Sequence, residues 1–224
     1  MLEPTPGDPN TLSSGGGGGG GAPKGLVDRV KDILMSPKTE WDVIDNEQAT
    51  IGGIYTSYVM ILAAIPAICT ALGLIFFMPR PSAEVAGMAQ AFGVPVLTTG
   101  SIIVGVVVQY VLGLVCVYIM GMIIDALAPS FGGTKDPLKA FKVAAYYPTA
   151  AWVAGILYII PMLGLLVLIA AIYSLYTLYL GLPKLMRVPQ DKTVGYFVVT
   201  LVIAIIVFMV IGYIGARVMY GGFI

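Results

Sequence analysis

Apolar residues crowd this chain into five long runs, approximately 54–77, 98–124, 143–160, 162–182 and 196–216, and most polar residues fall between them. At 1.5 Å per helical residue, each run is close to the about 17–25 residues that cross a bilayer core. Runs three and four are separated by little more than "IIPMLG", where Pro161 and Gly164 predict a tight turn. The expected fold class is therefore all-α: a polytopic membrane bundle of five transmembrane helices. Pro66 and Pro148 should bend or end helices, while Gly113, Gly121 and Gly155 permit close helix approach.

A different pattern precedes the runs. In "LVDRVKDILM", Leu26, Val27, Val30, Ile33 and Leu34 read as one helical face, and Asp28, Arg29, Lys31 and Asp32 as the other. Ser36 followed by Pro37 reads as an N-cap that opens a second short helix through Trp41 to about Asn46. These helices are expected on the membrane surface with Trp41 near the headgroups, packing beneath the bundle being the competing arrangement. Residues 1–25, with "SSGGGGGGGAPKG", predict a disordered glycine-rich tail without a signal peptide. The domain plan is thus a tail over 1–25, amphipathic helices over 26–50 and a five-span membrane domain over 51–224.

Composition agrees with this plan and narrows the chemistry. The 224 residues are 58% hydrophobic and 11% charged, against about 25% charged in an ordinary soluble domain. A net charge of zero argues against nucleic acid as a partner. The chain has no histidine, which excludes His-based metal sites, His-activated nucleophiles and His proton shuttles. Cys69 and Cys116 lie inside apolar runs and read as packing residues. No pattern requires a cofactor or a metal, and no base–serine pair or pair of membrane-embedded carboxylates suggests an enzyme.

Charge also orients the chain. Ten of the twelve basic residues fall before span one, between spans two and three, or between spans four and five; Arg80 and Arg217 are on the other side. The positive-inside rule then puts the amino terminus and both basic loops in the cytoplasm and the carboxyl terminus outside a plasma or inner membrane.

Candidate functional residues gather in those loops. Asp125 ends span two, where a carboxylate opposes the helix dipole and lies close to hydrocarbon. A salt bridge to Lys135, Lys139, Arg187 or Lys192 is expected, tying the two loops together; a cation or proton site is the alternative. Pro129, Gly132 and Gly133 let the chain turn, and Lys135, Lys139 and Lys142 recur at a spacing that suits anionic headgroups. Gly181, Pro183, Asp191 and Lys192 mark the second loop. At depth, Gln109 and Tyr110 in span two and Tyr173 and Tyr176 in span four form a candidate polar path. Helix packing, with Ser174 and Thr177 bonding neighbouring backbone, is the alternative for the span-four stripe.

The ordered set "RVKDILMSPKTEWDVIDNE", "DALAPSFGGTKDPLKAFKVAAYYPTAAWVAG" and "YLGLPKLMRVPQDKTVGY" resembles bacterial members of the Yip domain family over about residues 26–215. These are integral membrane proteins similar to the eukaryotic proteins that interact with Ypt/Rab GTPases. The resemblance implies five spans, a cytoplasmic amino terminus and no known catalysis. The expected function is that of a non-enzymatic membrane protein, organising membrane or recruiting a protein to its cytoplasmic face. A small-solute or ion permease is the alternative. Expected partners are the bilayer and a cytoplasmic protein, and a homo-oligomer is compatible with the same faces.

Overall fold

The structure is a computed structural model that describes residues 24–221. The expected disordered tail falls almost wholly on residues 1–23, outside the described residues. Every regular element among the described residues is helical. In chain order these are α1 (Leu26–Met35), α2 (Pro37–Asn46), α3 (Ile51–Phe76, with a wide turn at Tyr55–Val59), α4 (Ala83–Ala91) and α5 (Thr99–Leu127, tightening into a 3₁₀ turn at Ala128–Phe131). Next come α6 (Pro137–Tyr146), α7 (Thr149–Ala154), 3₁₀ stretches at Gly155–Ile159 and Pro161–Leu166, α8 (Val167–Met186) and α9 (Gln190–Gly221).

Among the described residues, four helices are long and apolar enough to cross a membrane: Ile51–Phe76, Thr99–Phe131, Met162–Met186 and Gln190–Tyr220. Residues 143–160, expected to form the third of five spans, do not make one helix of that kind. Pro148 has no N–H to donate, and α6 stops at Tyr146 just before it. The carbonyls freed by the break are met by hydroxyls. Thr149 Oγ1 donates to Tyr146 O at 2.6 Å, and Thr177 Oγ1 of α8 shares its proton between Tyr147 O at 2.9 Å and Ser174 O at 2.7 Å. Ser174 Oγ accepts from Ala151 N at 3.1 Å. Such repairs help a broken helix stay buried, because an unpaired backbone group is costly in an apolar setting.

The broken segment follows α3 closely. Tyr55 stacks on Phe141, and the Tyr58 ring meets Tyr146 edge-on at 4.8 Å. Further along, Gly155 lies against Pro66, and Gly73 lies against the backbone of Tyr158 and Ile159. A side chain at Gly73 would collide with the Tyr158 carbonyl, so glycine is what allows this approach.

Capping explains two of the helix starts. Thr98 and Ser101 cap each other at the head of α5, each side chain accepting from the other's backbone N–H at 3.1 and 3.0 Å. Asp136 Oδ1 accepts from Lys139 N at 3.0 Å, with Pro137 in the first position of α6. Ser36 precedes α2 as expected, but its side chain makes no capping bond. Helix α4 was not anticipated from the apolar pattern; Ser82, which accepts from Val85 N, is its N-cap.

Candidate functional site at the charged end of the bundle

Helices α1 and α2 dock beneath the bundle, and the charged side chains concentrate where they meet it. Trp41, expected near headgroups, is 1% exposed. Its indole lies over α8 at Gly181, where an added Cβ would sit 2.7 Å from the ring. Gly181 is therefore a seat for Trp41. Burial of a large ring outweighs the interfacial preference of tryptophan once such a seat is available.

One residue of the polar face of α1 also turns inward, while Asp28 and Lys31 stay exposed. Arg29, read as a solvent-facing residue, is 1% exposed. Its guanidinium pairs with the carboxylates of Glu40 and Glu47, both buried, and stands 5.2 Å from the centre of the Tyr146 ring. Two acceptors and an aromatic face suit a planar guanidinium, and they offset the cost of removing it from water. Lys24, which the tail reading left unengaged, bonds Glu40 and Asp32, each at 2.7 Å. The hydrogen bond to Asp32 is the main cause raising the Lys24 ammonium above its ordinary value, followed by that to Glu40. Asp32 is lowered in turn, chiefly by Lys24. Amphipathic periodicity missed Arg29 because it sorts residues by polarity, and this polar residue brings its own counter-ions.

The lysines expected to face headgroups largely hold this module instead. Lys142, 2% exposed, donates to Ile44 O at 2.7 Å and Glu47 O at 2.6 Å, closing the end of α2. A cation there complements the negative end of the helix dipole. Lys139 pairs with Asp45 at 2.5 Å, and Lys184 with Asp42 at 2.6 Å. Tyr173 OH donates to Leu34 O at 2.8 Å. α1 and α2 are thereby fastened to α6 and α8 at several points.

The expected Asp125 bridge does not form. Asp125 is 7% exposed, and its Oδ1 is buried without a hydrogen-bond donor. No ion pair joins it to a basic residue among the described residues; Lys139 is engaged by Asp45, and Lys135 is exposed. Asp125 and Lys135 nevertheless line one pocket of about 310 Å³ between α5 and α6.

The two loops are tied together, but through their backbones. Thr134 N donates to Met186 O at 2.8 Å, and Phe131 stacks on Tyr196 at 5.3 Å. Gly132 has φ +74°, a left-handed conformation that glycine adopts without steric cost. Its N–H donates to Pro129 O at 3.1 Å. Gly133 lies tight against Met186 O and Val188. Pro183 is in the last turns of α8, while Asp191 and Lys192 are exposed at the start of α9.

The candidate polar path is divided. Gln109 and Tyr110 line a cavity of about 890 Å³ among α3, α5, the broken segment and α8. Tyr110 OH donates to Met60 O at 2.9 Å, and the Gln109 amide abuts Gly215 of α9. Tyr173 and Tyr176 do not line this cavity: Tyr173 bonds α1, and Tyr176 is exposed. The stripe on α8 is mainly a packing surface whose hydroxyls bond neighbouring backbone.

Comparison with known proteins agrees with this architecture. The family model described as "Yip1 domain" matches residues 31–212. Two curated relatives, both called "Inner membrane protein YohC", from Escherichia coli strain K12 and from strain O6:H1, are each 26% identical over 181 residues. Those alignments cover 78% of this chain and 87% of each relative. No solved structure matches. With the family model spanning most of a helical membrane bundle, the chain belongs to the Yip1 domain family.

Proposed function

We propose that this protein is a non-catalytic inner-membrane protein that crosses the bilayer five times and presents one rigid cytoplasmic face to a protein partner. The observation that carries this reading is the gathering of charged residues at one end. Lys24, Arg29, Lys139, Lys142 and Lys184 each engage a group on α1 or α2, so that end is a fastened surface rather than a set of free loops.

The broken segment supplies the remaining crossing. Residues 137–159, summed as helix and 3₁₀ turns, extend about 35 Å, comparable with a hydrocarbon core of about 30 Å. Their contacts run from Tyr55 to Gly73 along α3, a distance of about 27 Å. Positive-inside bias then puts the α1–α2 end in the cytoplasm and the carboxyl terminus outside. Compartment-specific reporters at Met1 and after Ile224 test this. Opposite compartments are expected; a shared compartment would overturn the five-crossing plan.

A permease is the second reading, favoured by the 890 Å³ cavity with Gln109 and Tyr110 on its wall. Proteoliposome flux separates the two. The scaffold reading expects no solute movement above protein-free vesicles, and flux abolished by Gln109→Leu would replace it with the permease.

A further inference from the structure

We propose that the pocket beside Asp125 binds the headgroup of an aminophospholipid, with the lipid ammonium on the Asp125 carboxylate and its phosphate toward the Lys135 ammonium. Three observations converge here. Asp125 is more than nine-tenths buried, and its Oδ1 has no donor. It is in the last turn of α5, where the helix dipole adds to the cost of a negative charge. An acid so placed near hydrocarbon needs a cation, and no described basic residue forms an ion pair with it.

The nearby lysines have other work. Lys139 holds Asp45, and Lys142 holds the end of α2. Lys135 lines the Asp125 pocket yet forms no ion pair with it, so the pocket has one acidic and one basic wall with about 310 Å³ between them. That volume is at the low end of ligand pockets, about 300–1,000 Å³. It suits a headgroup carrying both charges. A bare divalent ion is a poor fit, because such ions take six or more oxygen ligands. Among the described residues no group of three His, Cys, Asp or Glu is placed to hold a metal.

The other walls indicate a lipid. Tyr118 and Met122 on α5 also line this pocket and are 47% and 51% exposed on a membrane-spanning helix. They offer an apolar path for acyl chains leading away from the charged pair. A purely anionic headgroup would meet the Asp125 carboxylate as a like charge. A choline headgroup carries the charge but no N–H, whereas a primary ammonium donates up to three hydrogen bonds. The pocket should therefore prefer ethanolamine.

This inference needs only that α5 lies in a bilayer, so it survives or fails independently of the reporter experiment and of the flux assay. Its test is a titration of the purified full-length protein in detergent with short-chain phosphatidylethanolamine, phosphatidylcholine and phosphatidylglycerol, read by native mass spectrometry and by thermal shift. Phosphatidylethanolamine should bind about tenfold more tightly than the other two, the scale of one charge-assisted hydrogen bond. Asp125→Asn should remove that preference, and Lys135→Gln should weaken all three lipids several-fold while leaving the preference in place. Equal binding of the three lipids by the parent protein, or a preference that survives Asp125→Asn, would overturn the proposal. Phosphoethanolamine without acyl chains is the control: stabilisation equal to that by the lipid would reassign the pocket to a soluble ligand. Should Asp125→Asn fail to fold, Lys135→Gln at its exposed position decides, and unchanged affinity for all three lipids would refute the assignment.

Discussion

The two ends of the bundle are built by different means. At the charged end, α1, α2, α6 and α8 are joined by a buried guanidinium, lysines on helix carbonyls and an indole seated on a glycine. At the far end, α4 contributes no buried residue, and Phe92 beside it is 82% exposed. Apart from the helix caps at Ser82 and Thr98, Arg80 Nη1 donates to Thr99 Oγ1 there at 2.9 Å. Specific polar contacts are thus spent where water-facing helices must be held against a membrane domain. A region that buries no side chain has little to fasten in this way.

Substitutions at the two ends should reproduce that contrast. The largest effect is expected from Trp41→Ala, which empties the seat over Gly181 and should cost about 3–5 kcal/mol. Thermal unfolding in detergent and hydrogen exchange over residues 26–46 would register it. Arg29→Met should cost about 3 kcal/mol, because it leaves Glu40 and Glu47 buried with less compensation. If α1 and α2 remain as protected from protease as in the parent, the ion network is not what fastens them.

Thr177→Val is expected to cost about 1–2 kcal/mol by leaving the Tyr147 carbonyl without its donor. Faster exchange confined to residues near Pro148 would locate the loss. Phe92→Ser at the far end should change stability by no more than about 0.5 kcal/mol. A larger effect would show that the far end is as tightly built as the charged one.

The smallest effect concerns pH. Asp32 is held below its ordinary carboxylate value of 3.8, chiefly by Lys24, so the folded state binds this proton less readily than the unfolded chain. The contribution is complete above that ordinary value and is lost as pH falls through the lowered one. The stability difference between the parent and Asp32→Asn should accordingly be present at pH 6 and absent in strong acid. A difference that persists in strong acid would assign the effect to something other than this carboxylate.

These contrasts also mark what could be read from the residues alone. Length and apolarity gave five expected spans, and four of them are long apolar helices among the described residues, because those quantities follow from bilayer thickness. Pro148 marks the break in residues 143–160, but the hydroxyls of Thr149, Ser174 and Thr177 that make it tolerable are distant in sequence or indistinguishable from ordinary packing. Trp41 and Arg29 were misplaced for one reason. A periodic pattern shows which residues share a face, but not whether the opposing surface has a glycine or two carboxylates waiting. The two loops were expected to be tied by an Asp125 salt bridge, yet their link runs through Thr134 N and Met186 O, and backbone atoms leave no trace in residue type.

The broken segment has a consequence for assembly. While the ribosome has delivered only residues up to about 160, the hydroxyl that will satisfy Tyr147 O is still unmade, since it belongs to Thr177. A translocon sorting segments one at a time would meet an interrupted stretch with a bare carbonyl, a poor candidate for release into lipid. On the five-crossing reading, the stretch and α8 are expected to enter as a helical hairpin, the later segment completing the earlier one.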